Sequence, residues 1–113
     1  MKLIDTHSIY KLTADTSEEL FKEFLDDAID YYDKNIGKLV EAFNKEDLEL
    51  IRQICHMLFG VLGQVGMKKA SFICKQIEQS LNNGGLKLTN EELYHLQETV
   101  AKSKLELVSL GYL

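Results

Sequence analysis

The sequence predicts an all-α protein: an antiparallel, up-down-up-down four-helix bundle with a short additional N-terminal helix. Three observations carry that expectation. Apolar residues recur at offsets of three, four and seven through most of the chain, the spacing of one helix face. Capping residues and breaks rich in Asn and Gly cut this pattern into helix-length pieces. No segment alternates convincingly with the period of two that a half-buried strand needs, and proline is absent.

Ile4, Ile9 and Leu12, with Asp5 as a cap, define the first helix, which is too brief to persist unless it packs on the rest. Thr16 and Glu19 read as a capping box that opens a long second helix. Its apolar side runs from Leu20 to Phe43 and includes Phe21, Phe24, Leu25 and Tyr32. Glu23, Asp26, Asp27, Asp30 and Asp33 form its solvated side, and acids toward a helix N-terminus suit the macrodipole. A break follows at Asn44-Lys45, and Asn44 or a neighbour caps the third helix. There Leu48, Ile51, Ile54, Cys55, Leu58, Leu62 and Val65 gather on one side. Gly66 ends or bends this helix, and Ala70, Ile73, Cys74, Ile77 and Leu81 mark a fourth, packed against the third as a tight antiparallel hairpin. Asn82-Asn83-Gly84-Gly85 stops it, since Asn and Gly tolerate the left-handed backbone of a helix end. A second capping box, Thr89 with Glu92, opens the last helix, whose stripe is Leu93, Leu96, Val100 and Leu107.

With 113 residues, 45% of them hydrophobic and 27% charged, the chain reads as a single domain over 1–113 with enough apolar surface to bury a core. No apolar run approaches the roughly 18 residues that span a bilayer. The opening MKLIDTHSIY lacks the apolar core of a signal peptide. A cytoplasmic location without membrane association is therefore expected. The ends, Met1 and LVSLGYL, are compatible with a free protein, expected to be a monomer. A formal net charge of −5 argues against a nucleic-acid partner, which wants a basic footprint. The acidity is lopsided: residues 1–50 carry 13 acids and 6 bases, residues 51–113 carry 5 acids and 7 bases. A weakly basic second half suits an acidic partner pocket. Cys55 and Cys74 fall on apolar faces without metal-type spacing and read as small core residues.

His56 stands apart from the apolar side of the third helix, roughly 140° from its middle by helical geometry. Its neighbours one turn either way are Arg52, Gly60 and Gly63. Glycine costs a helix interior about 1 kcal/mol relative to Ala, so two of them beside an outward histidine imply that another body comes close. This arrangement resembles the signature of the histidine-containing phosphotransfer (HPt) domain family: a small residue, His-x-Leu-Lys-Gly, five further residues, a second Gly, and an amphipathic helix ending near a Glu. The matching residues are Cys55, His56, Leu58, Gly60 and Gly66, continued by Ile73, Cys74, Ile77 and Glu78. The departure is Phe59, which stands where the family has Lys. Ile4-Asp5 and the Phe21-to-Phe43 segment also come in the family's order, so the likeness covers nearly the whole chain.

The resemblance implies the same bundle, with His56 as a phosphoacceptor that shuttles a phosphoryl group between aspartates of response-regulator receiver domains in a two-component phosphorelay. A hybrid sensor histidine kinase is a further partner it suggests. The receiver would supply magnesium and most catalytic groups, so the chain is expected to hold no cofactor of its own and to act as a carrier more than as an enzyme. Gly60 and Gly63 would give the receiver room, Arg52 would replace part of the missing lysine charge, and Lys68 and Lys69 would touch the partner's rim. Phe59 would fill a core edge or offer the partner an apolar contact. His7 and His95 lack such surroundings. A competing reading is an adaptor that docks a receiver or kinase without being phosphorylated, with Phe59 as its anchor. A metal-binding bundle would need a second partner for the Glu92–His95 pair, and the sequence offers none.

Overall fold

The computed structural model describes residues 1–83 and 89–113. Among these the regular elements are five α-helices and no strands: α1 (Thr6–Asp15), α2 (Glu18–Asn44), α3 (Leu48–Gln64), α4 (Lys68–Asn82) and α5 (Asn90–Ser109). Each of four helices begins at a side chain that accepts a hydrogen bond from the first turn. The Asp5 carboxylate takes the Ser8 N–H at 3.1 Å and its hydroxyl at 2.7 Å. The expected box at Thr16 and Glu19 does not form, and the cap lies one residue later. Ser17, extended at φ −161°, caps α2 by accepting the Leu20 N–H at 3.0 Å, while the Thr16 hydroxyl turns back to donate to the Leu12 carbonyl and closes α1. Asp47, not Asn44, caps α3, because Asn44 still belongs to α2 and Glu46 takes the left-handed turn between them at φ 53°. The Thr89–Glu92 box at α5 forms as expected. Of the stop expected at residues 82–85, Gly84 and Gly85 lie outside the described residues.

The core is built from the inward faces of all five helices together with Ile4, Val65 and Met67 from the connecting segments. α3 packs on both α2 and α4, α4 on α5, and α1 on α2. Within α3 the expected stripe is buried from Ile51 onward, but Leu48 opens the helix and is exposed beside Glu49 and Leu50. Phe24 and Leu12 are also exposed and line an open groove of about 360 Å³ with Tyr31, Val61 and Val65. The acidic side of α2 is solvated throughout.

The turn between α3 and α4 sets the position of everything that follows. Gly66 adopts φ 79°, and a Cβ there would sit 2.9 Å from Ile9 Cγ1, so both its backbone and its surroundings demand glycine. The Gly66 N–H donates to the Gly63 carbonyl and the Met67 N–H to the Leu62 carbonyl, the paired bonds of a Schellman ending. Leu62 and Met67, the two residues of its hydrophobic contact, are fully buried. The N-terminal segment seals this corner: Asp5 N–H donates to the Gly66 carbonyl at 2.8 Å and Lys69 N–H to the Leu3 carbonyl at 3.3 Å.

Candidate functional site

Three contacts between α3 and α4 run in opposite order along the two helices. Nearest the turn, a Cβ on Gly63 would lie 3.0 Å from Ser71 Oγ, and that hydroxyl donates to the Phe59 carbonyl at 2.8 Å. One turn on, the Lys75 ammonium sits 4.7 Å from the centre of the Phe59 ring. One turn further, His56 Nδ1 lies 2.6 Å from Glu78 Oε2. The members of each pair are equidistant in sequence from Met67, as the turn at Gly66 dictates for helices that fold back on each other.

Small side chains let the helices come this close. Cys55 and Cys74 are fully buried free thiols. A hydrogen bond with Cys55, followed by burial, pushes the Cys74 thiol far above its ordinary range, which marks it as a packed core group and not a reactive thiolate.

His56 and Glu78 are unequally covered: 63% of the histidine side chain is exposed against 13% of the glutamate. A carboxylate can only accept, so Nδ1–H is the donor of this bond. In the neutral ring the lone pair then belongs to Nε2, at the other end of the imidazole. The inner carboxylate fixes the orientation and tautomer of an outer ring. Just beyond, Gly60 has nothing within 4 Å of a would-be Cβ, so the surface beside the histidine is open.

The other residues singled out from the sequence are placed less uniformly. Gly63 is exposed, like Gly60. The body that comes close to it is α4, through Ser71. Arg52 lies one turn before His56, but its Nε donates to Glu49 Oε2 at 3.1 Å and its Nη2 to the same carboxylate. The guanidinium holds the Glu49 carboxyl below its usual range, and Glu78 adds only the smallest of the attractions on that charge. Phe59 is half-buried and packs on the core edge, with the lysine over its face. Lys68 and Lys69 begin α4, ten and nine residues before Glu78, which is about 15 Å along a helix axis. Neither is brought to His56. His7 and His95 are exposed.

Of the residues the site brings together, Lys75 is not singled out by the sequence, and Glu78 enters there only as the Glu that ends the family signature, with no partner assigned. The signal for them was the hairpin itself: with its turn at Gly66, residues 78 and 75 are the ones that fall opposite 56 and 59.

The family model of the Hpt domain matches residues 19–105. No curated protein and no solved structure matches the chain.

Proposed function

The chain belongs to the Hpt domain family, and we propose that it is a histidine phosphotransfer protein whose phosphoacceptor is His56. Hpt domains serve phosphotransfer in two-component signalling and interact there with receiver domains and kinases. The observation that carries the assignment to His56 is the 2.6 Å contact of Nδ1 with the covered Glu78 carboxylate on a ring otherwise open to solvent.

In this reading, the Nε2 lone pair attacks the phosphorus of a receiver's aspartyl phosphate. The N–P bond forms as the acyl P–O bond breaks, and the aspartate carboxylate leaves with the electron pair. No proton has to leave Nε2, because the ring proton is on Nδ1. The imidazole becomes positive, and Glu78 is already in place to offset that charge. Reversal of the same step hands the phosphoryl group to the next aspartate. Magnesium belongs to the receiver's acidic pocket, and this chain's part is to hold the ring rigidly and leave Nε2 accessible. Gly60 supplies the clearance.

The same proposal takes residues 1–113 as one monomeric domain whose four long helices run up-down-up-down, a topology supported by the three-residue connections 45–47 and 65–67. It places the protein in the cytoplasm with a receiver domain as partner and a hybrid sensor kinase further along the relay. No helix among the described residues is long and apolar enough to cross a membrane.

Incubation with a phosphorylated receiver domain tests the assignment. Acid-labile phosphate should appear on the parent protein and on His7→Ala and His95→Ala, and disappear in His56→Gln. Receiver binding without any phosphate uptake would favour the adaptor reading instead.

A further inference from the structure

We infer that Lys75 supplies the cation that meets a phosphoryl group on His56. This rests on the reading of His56 as the phosphoacceptor. Phe59 and Lys75 form the cross-helix pair next to His56 and Glu78. These two pairs are three residues apart on each helix, about 4.5 Å of axial rise. A dianionic phosphoryl group on Nε2 therefore arrives beside an ammonium on a flexible four-carbon stem.

The other nearby cations are committed or distant. Arg52 is held by Glu49 through two nitrogens. Lys68 and Lys69 lie at the far end of α4. Lys75 is the near one, and among the described residues no ion pair engages it, unlike Arg52. The one carboxylate a turn away on its own helix, Glu78, is taken by His56. The Phe59 face holds the ammonium without neutralising it, and a cation–π contact at a part-exposed site is weaker than a charge-assisted bond to phosphate oxygens. Lys75 is thus kept in place with its charge unspent, and it can leave the ring when a stronger partner appears. An aromatic residue at position 59 then has a use: it parks a lysine that comes from the neighbouring helix.

The test uses the whole protein phosphorylated with phosphoramidate, a small donor that phosphorylates imidazole nitrogen without a receiver. Lys75→Gln should shorten the phosphohistidine lifetime by about threefold to tenfold, the factor expected for one charge-assisted contact at a half-exposed position. By phosphorus NMR its phosphoryl group should lose its last proton at higher pH than the parent's, a change that a merely structural lysine would not produce. Lys75→Arg should keep both properties near the parent's, and the melting temperature of all three proteins should agree. A Lys75→Gln protein phosphorylated on His56 with the parent's lifetime and titration would overturn the role of Lys75 and leave that of His56 standing. A parent protein that phosphoramidate labels no differently from His56→Gln would remove the His56 reading, and this inference with it.

Discussion

Gly60 and Gly63 lie on the same side of α3, one turn apart and both exposed, but what stands beside them differs. At Gly63 the neighbouring helix comes close on one side, with Ser71 Oγ 3.0 Å from where a Cβ would stand; at Gly60 there is nothing within 4 Å. The first glycine builds the site by letting α4 approach closely enough for Glu78 to reach His56. The second leaves the site accessible. Sequence spacing alone groups the two, because a helical wheel shows which side a residue occupies but not what stands on that side.

Substitutions should separate the closed turn from the open one, and the largest effect belongs to the closed end. Gly66→Ala forces a side chain into a left-handed backbone and against Ile9, and should cost about 2–3 kcal/mol of stability in a denaturant titration. Gly63→Leu comes next. Overfilling the contact with Ser71 should cost about 1–3 kcal/mol and, by pushing α4 outward, loosen Glu78 from His56. Loss of the histidine's Nδ1–H···carboxylate signature in proton NMR would report this. A Gly63→Leu protein as stable as the parent, with that signature intact, would mean that the glycine is not needed for the helix approach.

Gly60→Gln sharpens the contrast by an effect of the opposite sign. Replacing an interior helical glycine with a good helix former in open space should raise stability by up to about 1 kcal/mol, while receiver docking is lost. Normal docking would show that no partner closes over this turn. The smallest expected effect lies in the cap of α1, beside Gly66. Hydrogen bonds from the Ser8 hydroxyl and then the Ser8 amide hold the Asp5 carboxyl below its ordinary value of 3.8. The unfolded chain therefore binds this proton first as the pH falls. The contribution of the ionised carboxyl is fully present above 3.8 and is lost as the pH drops through the folded value, whereas Asp5→Asn keeps a capping oxygen but nothing that titrates. The acid limb of stability against pH should be slightly shallower in that variant.

How much of this was readable beforehand varies with the kind of physics involved. The buried stripe of α3 from Ile51 to Val65, the outward His56 and the Thr89–Glu92 cap are consequences of helical period and local hydrogen bonding, and they hold. The start of α2 was misplaced because Thr16 and Ser17 are both competent caps, and only the three-dimensional path sends one hydroxyl back to α1 and the other forward. Phe24, Leu12 and Leu48 have the right spacing for burial but no helix covers them. From the sequence, Lys68 and Lys69 lie just beyond Gly66 and are expected at a partner's rim, with no sign of how far from His56 that rim stands. The turn starts α4 at the far end of the seam and brings Glu78, which is 22 residues from the histidine, into contact with it.

The central claim is that Glu78 holds His56 by Nδ1 and thereby reserves Nε2 for phosphorus. The most direct measurement is nitrogen–proton correlation NMR of the imidazole ring after phosphorylation by a receiver domain, which distinguishes the two ring nitrogens. The account predicts one phosphorylated histidine, His56, substituted at Nε2 with its proton retained on Nδ1. Phosphate on Nδ1, or on another residue, would contradict it.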